Sequence, residues 1–191
     1  SPTNIGFGLL ANVTAYDLGY LPAGELLTRT NDTFGTMQLL ERHRGHFYNW
    51  YDTQTLKPLL PLYVSSVDSG NLAGHLLILR AGLLSLPDQP ILAAQWLAGF
   101  RDTMRVLSDA AGEHAGRLVG PLRELADELP VTLGAAQAWT ERLAQCVREL
   151  EGGAAEGSDH LWWAGALRHQ CERMLEELAV LAPWLTLRAP A

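Results

Sequence analysis

Apolar residues return at helical spacing along most of the chain, and the pattern fails for long in only one place, from His43 to about Val67. Recurrence at i, i+3 and i+4 predicts helices with one buried stripe. Ile5, Leu9, Leu10, Val13 and Tyr16 form the first stripe, with Asn4 as its expected N-cap and Gly19 as its stop. Leu26, Leu27, Thr30, Phe34, Met37 and Leu40 form a second, opened by Pro22. After the irregular segment, Leu72, Leu76, Leu79 and Leu83 resume the spacing, and Ser85–Pro90 breaks it. Leu92, Trp96, Leu97, Phe100, Met104 and Leu107 make a fourth helix, and Pro121 to Leu129 a short fifth after a loose stretch from Ala110 to Gly120. Thr132 is placed to cap a sixth, with Trp139, Leu143, Cys146, Val147 and Leu150. Gly152 to Gly157 reads as a flexible connector, and Ser158 as the cap of a seventh helix, which runs to Pro183. Helices joined by short turns stack as antiparallel pairs. The fold class is therefore all-α, built of antiparallel helical hairpins, with one long irregular loop or small hairpin near 43–67. A turn near Gln54-Thr55 would let Phe47 to Tyr51 form one arm of that hairpin.

Composition narrows the function classes. At 48% hydrophobic and 18% charged residues, the 191-residue chain belongs with folded globular proteins. A net charge of −7 argues against nucleic acid as a partner, because that binding runs on Lys and Arg neutralising phosphates. No apolar run approaches the ~18 residues of a membrane span, and no signal-peptide pattern opens the chain. Cys146 and Cys171 are far apart within helical patterns, so a reduced, buried pair is the simpler expectation and a disulfide the other. No phosphate-cradling glycine loop, nucleophile elbow or Cys–His arrangement is present. The chain begins at Ser1 and enters a helical pattern at Ile5, which reads as a segment of a longer polypeptide.

Loops as long as 43–67 usually carry function, and two dense runs lie in and beside this one. Arg44-Gly45-His46-Phe47-Tyr48-Asn49-Trp50-Tyr51-Asp52 sets aromatics among polar and charged residues. Tyr and Trp present an apolar face and a hydrogen-bonding tip, the combination a sugar ring needs. Val64 to Leu72 follows, with Asp68 and Asn71 near the expected start of the third helix, around Ser69. Together the runs read as one side of a carbohydrate cleft.

The two runs, with Ser1-Pro2-Thr3-Asn4-Ile5-Gly6 and Ala15-Tyr16-Asp17-Leu18-Gly19-Tyr20, resemble the cyclic β-1,2-glucan synthases in their glycoamylase-like part. Trp163-Ala164 through Gln170-Cys171 to Leu181-Ala182-Pro183-Trp184 resembles the same region. The resemblance implies an (α/α)6 barrel, of which residues 1–191 would be an N-terminal part. It also implies work on β-1,2-glucan by transglycosylation, and a parent enzyme at the cytoplasmic face of the bacterial inner membrane. The expected partners are β-1,2-glucan or its oligosaccharides and the remaining domains of that parent. The family's catalytic glutamates lie in motifs of a Ser-Met-Phe-Glu-Tyr and a Ser-Glu-Ser type, and neither occurs in this sequence. The segment alone is accordingly expected to be inactive and to supply binding residues.

Arg44, His46, Tyr48, Trp50, Tyr51, Asp52, Asp68 and Asn71 are the candidate substrate-binding residues. Acetal chemistry needs two carboxyls, ~5–5.5 Å apart for retention and ~6.5–9.5 Å for inversion. Asp52 and Asp68 are the only carboxylates within the two runs, so they are the weak catalytic candidates. Their competing roles are a turn for Asp52 and a helix cap for Asp68. Trp50 is the best sugar platform; the aromatics could equally plug the fold. Arg44 could clamp either aspartate or equally stand solvated at the surface. His43, His46 and His75 lack the spacing of a metal site, so no metal or cofactor is expected. Trp162-Trp163 and Trp184 are expected in helix packing. A helical spacer with no substrate contact is the alternative reading.

Overall fold

A computed structural model describes residues 1–111, 119–128, 130–151 and 159–187. The expected connector at 152–157 and the cap at Ser158 lie outside them. The fold is all-α: seven helices and one two-stranded ribbon among the described residues. They form two compact units, Ser1–Asp17 with Ala23–Gln89, and Leu18–Pro22 with Pro90–Ala191.

The first unit holds α1 (Pro2–Asp17), α2 (Ala23–Leu39), β1 (Arg42–His43), β2 (His46–Phe47) and α3 (Ser66–Ser85). The helix starts differ from expectation. Ser1, not Asn4, begins α1, with its carbonyl accepting from Ile5 N at 3.1 Å. Ser65 caps α3 by accepting from Asp68 N at 3.1 Å, so α3 begins before Ser69 and Asp68 sits inside its first turn. A Ser hydroxyl satisfies an orphan N–H three residues on without strain, which is why both caps fall there.

Helix α1 packs against both α2 and α3. Glycine lets α1 and α3 approach closely: a Cβ on Gly6 would fall within 3.0 Å of the His75 ring, and one on Gly82 would meet Val13 Cγ1 at 3.2 Å. Both helices are apolar nearly all round, and Phe7, Leu77, Ile78 and Leu84 remain exposed. Met37, Leu40, Phe47 and Leu72 form the core of the unit, flanked by Ile5, Phe34, Tyr51, Leu56 and Leu76. Two aromatics of the polar run thus serve as pegs that fasten the loop to the helices.

The irregular segment contains two turns where the sequence predicts one. Arg44 and Gly45, at φ 51° and 89°, make the two-residue turn between β1 and β2. Positive φ at both central positions is what a twisted two-residue hairpin requires. The expected turn near Gln54-Thr55 is present as well. Tyr51 bridges Pro58, Asp52 N donates to Lys57 O at 2.9 Å, and Leu59 N donates to Trp50 O at 3.0 Å.

The described part of the second unit contains α4 (Ala94–Ala111), α5 (Val119–Asp127), α6 (Leu133–Glu151) and α7 (Asp159–Leu181). Thr132 caps α6 as expected, accepting from Ala135 N at 3.1 Å. Helix α7 packs on α6 and α4, and α5 touches α4 and α6. Trp96, Phe100 and Trp139 meet edge to face at the centre, with ring centroids 5.3–5.5 Å apart. Trp139 donates its indole N–H to Leu125 O at 2.9 Å, so its burial strands no polar group. Removing ~200 Å² of such a side chain from water contributes about 5 kcal/mol as an upper estimate.

Trp163 packs partly against this core, whereas Trp162 and Trp184 are exposed. Residues 163, 167, 171, 174 and 178 share the buried face of α7, and Trp162 stands about 100° away from it toward solvent. Cys146 and Cys171 are both free thiols. Burial pushes the Cys171 thiol up to about 12.

Candidate functional site

The polar and aromatic run divides into buried supports and exposed groups. Tyr48 is buried, and Tyr51 is partly buried with its ring edge-on to Tyr48 at 6.4 Å. The Tyr51 hydroxyl donates to Glu41 O at 2.6 Å and accepts from Tyr48 N at 2.8 Å. Burial raises its pKa, partly offset by the Tyr48 N–H and the Arg42 charge. Tyr51 is therefore a fastener whose hydroxyl already has both partners. Arg44 and His46 lie exposed in and beside the hairpin turn. The positive φ of Arg44 serves that turn, and no ion pair joins Arg44 to Asp52 or Asp68.

Trp50 is 54% exposed. Strict alternation would place it on the same side as Tyr48; the chain instead bends at Asn49, whose N–H donates to Tyr63 O at 2.7 Å. Asn49 is buried, and its side-chain amide joins the two runs. It accepts from Trp50 Nε1 at 3.1 Å and donates to Asp68 Oδ2 at 2.9 Å. The opposite amide orientation would set oxygen against carboxylate and NH₂ against the indole N–H, which fixes the assignment. An exposed indole and a carboxylate thus stand at the two ends of one buried amide.

Asp68 is also held by hydroxyls. Hydrogen bonds from Ser65 and then Thr3 keep its carboxyl below its ordinary value against the opposing effect of burial, with a lesser contribution from Ser1. Asn71, exposed one turn along α3, donates to Thr3 Oγ1 at 3.1 Å. Asp52 accepts on one oxygen from Gln54 N at 2.9 Å, Thr55 N at 2.7 Å and Thr55 Oγ1 at 3.0 Å. The Thr55 amide and hydroxyl, then the Gln54 amide, hold its pKa down.

A general acid needs a raised pKa. Asp52 and Asp68 are both lowered, so at neutral pH they are ionised acceptors suited to sugar hydroxyls. Among the described residues no group of three or more His, Cys, Asp or Glu is placed to hold a metal ion. No helix among them is long and apolar enough to cross a membrane. Sequence reasoning missed Asn49; its signal was an amide between a tyrosine that turns inward and a tryptophan that turns outward.

The fold and this site define a helical protein that presents an indole and ionised carboxylates to solvent. No family model matches the chain. The chain is 40% identical over 131 residues to the cyclic beta-(1,2)-glucan synthase NdvB of Rhizobium meliloti (strain 1021). That stretch covers 67% of this chain and 5% of the relative, so the chain spans a small part of the protein it matches. The resemblance expected from the motifs is thereby borne out.

Proposed function

We propose that the first unit forms one wall of a glucan-binding cleft in a cyclic β-1,2-glucan synthase. Trp50 stacks on a pyranose face, and Asp68, Asn71 and Asp52 take hydroxyls. Arg44 and His46 reach the chain from the hairpin, and Tyr48 and Tyr51 hold the loop in shape. The observation that carries this reading is the Asn49 amide between the Trp50 indole N–H and the Asp68 carboxylate. It fixes a ring face and an acceptor relative to each other, which positions a ligand without reorganisation on binding.

The reaction served is glucosyl transfer within β-1,2-glucan, in a glycoamylase-like (α/α)6 domain of which these helices are the first part. The parent enzyme works at the cytoplasmic face of the bacterial inner membrane. The carboxyl that protonates the leaving oxygen comes from elsewhere in that enzyme, since both local aspartates are held ionised.

Titration with a β-1,2-linked gluco-oligosaccharide, followed by tryptophan emission, tests the reading. The expected result is a saturable change at millimolar sugar. Trp50→Phe should remove most of that change and weaken binding about two- to tenfold, from ~0.5–1.5 kcal/mol of ring stacking. The spacer alternative draws support from Tyr51, whose hydroxyl is used up on two backbone groups. No response at tens of millimolar sugar would favour the spacer.

A further inference from the structure

A second hollow lies wholly within the second unit. It has a volume of about 400 Å³ and is lined by Tyr20, by Asp102 and Arg105 of α4, and by Trp163, His169 and Gln170 of α7. That volume falls in the ~300–1,000 Å³ range of small-molecule sites, which are mostly apolar with a few convergent polar groups. Residues 102 and 105 share one face of α4 by their spacing, and 163 and 170 lie two turns apart on α7.

One edge of the hollow is built into the backbone. The segment Leu18–Pro22 carries Tyr20, and Gly19 turns it at φ 79°. A Cβ on Gly99 would fall within 3.0 Å of the Gly19 O, C and Cα atoms, so the segment lies directly on α4. Gln170, 7% exposed, donates Nε2 to Gly19 O at 3.0 Å. Tyr20 is thus set in place by a positive-φ glycine, a bare helix surface and a buried amide.

Three of the polar groups form one network. Tyr20 donates its hydroxyl to Asp102 Oδ2 at 3.2 Å, and Arg105 Nη2 pairs with Asp102 Oδ1 at 3.3 Å. Burial and the Asp102 charge raise the Tyr20 pKa, which keeps the phenol a donor. A tryptophan, a carboxylate, a guanidinium, an imidazole, a phenol and an amide set donors and acceptors around an apolar surface, the pattern a polyhydroxylated ring needs.

We infer that this hollow is a separate binding site for a neutral pyranose unit, with Trp163 as its stacking face and Asp102 and Arg105 as its hydroxyl ligands. The choice of glucose as that unit rests on the glucan reading, and the site itself rests on the second unit alone.

The test follows the indole N–H signals of the six tryptophans in the full ¹⁵N-labelled chain, with Trp50→Phe and Trp163→Phe used for assignment. A β-1,2-linked gluco-oligosaccharide should shift the Trp163 signal saturably, with a dissociation constant of its own. Arg105→Ala, at an exposed side chain, should weaken that response about tenfold and leave the Trp50 response unchanged. Glycine, as a zwitterionic probe, should leave the Trp163 signal in place. A Trp163 signal that stays fixed while Trp50 responds overturns this site and spares the first reading. A shift of Trp163 with glycine and none with sugar overturns it too. A shift of Trp163 alone supports this site and refutes the role given to Trp50.

Discussion

Replacing Gly99 by alanine sets two effects of known size against each other. In a helix interior alanine is favoured over glycine by about 1 kcal/mol. At Gly99, however, the new methyl would enter the backbone of Gly19, closer than real Cβ atoms approach anything. Gly19 is poorly placed to yield, because its φ of 79° and its bond from Gln170 fix it from both sides. Overpacking costs ~1–3 kcal/mol, and a rigid backbone neighbour puts this case at the upper end. The expected net effect is a loss of about 2 kcal/mol, with displacement of Tyr20. Gly165, in the interior of α7, is the control, since an added Cβ there meets nothing within 4 Å. Gly165→Ala should stabilise by about 0.5–1 kcal/mol. Urea titration by far-UV circular dichroism measures both, with the indole signal of Trp163 reporting the hollow. If Gly99→Ala proves as stable as the parent, or if the two variants change in the same direction, the close approach is not what fixes the segment.

Ser65→Ala removes the cap of α3 and should lower stability by about 1 kcal/mol, measured by urea titration; no change would mean that Ser65 does not hold the helix start. The hydrogen bonds that lower the Asp68 pKa stabilise the fold above its ordinary value of 3.8, and this contribution fades as pH falls through the lower folded value. An acid titration of Asp68→Asn should accordingly be flatter below pH ~4 than that of the parent, and coincident curves would remove the Ser65 and Thr3 contacts from the argument. At pH 8 a maleimide should label Cys146 before Cys171, whose buried thiol titrates near 12, with labelling of Cys171 tracking unfolding. Equal rates for the two thiols in the folded protein would contradict the burial of Cys171.

What could be read from the sequence follows from the range of each interaction. Helices α4 and α6 carry well-separated apolar and polar faces, so Trp96, Phe100, Trp139 and Leu143 announced the core. Helices α1 and α3 are apolar nearly all round, so periodicity marked their existence better than their ends. The caps then moved to the nearest serine, Ser1 and Ser65, which propensity alone ranks no higher than Asn4 or Asp68. In the polar run, an exposed Trp50 and a turn made by Asp52 were both readable from local chemistry. The inward turn of Tyr48 was not, because it depends on the bond between Asn49 and Tyr63. The second hollow was out of reach of any local pattern: its Tyr20–Asp102 and Gly19–Gln170 bonds join residues 82 and 151 positions apart.

The distribution of tryptophan has a practical consequence. Trp50 is the only indole in the first unit, while Trp96 and Trp139 cross edge-on at 5.5 Å in the second. Two indoles so close and so tilted couple their strongest transitions, giving a paired positive and negative far-ultraviolet band that a solitary ring cannot produce. Melting followed in that band, and in the part of the emission that Trp50→Phe removes, therefore gives two independent thermometers. Whether the halves of the molecule unfold together or in turn becomes a comparison of two curves.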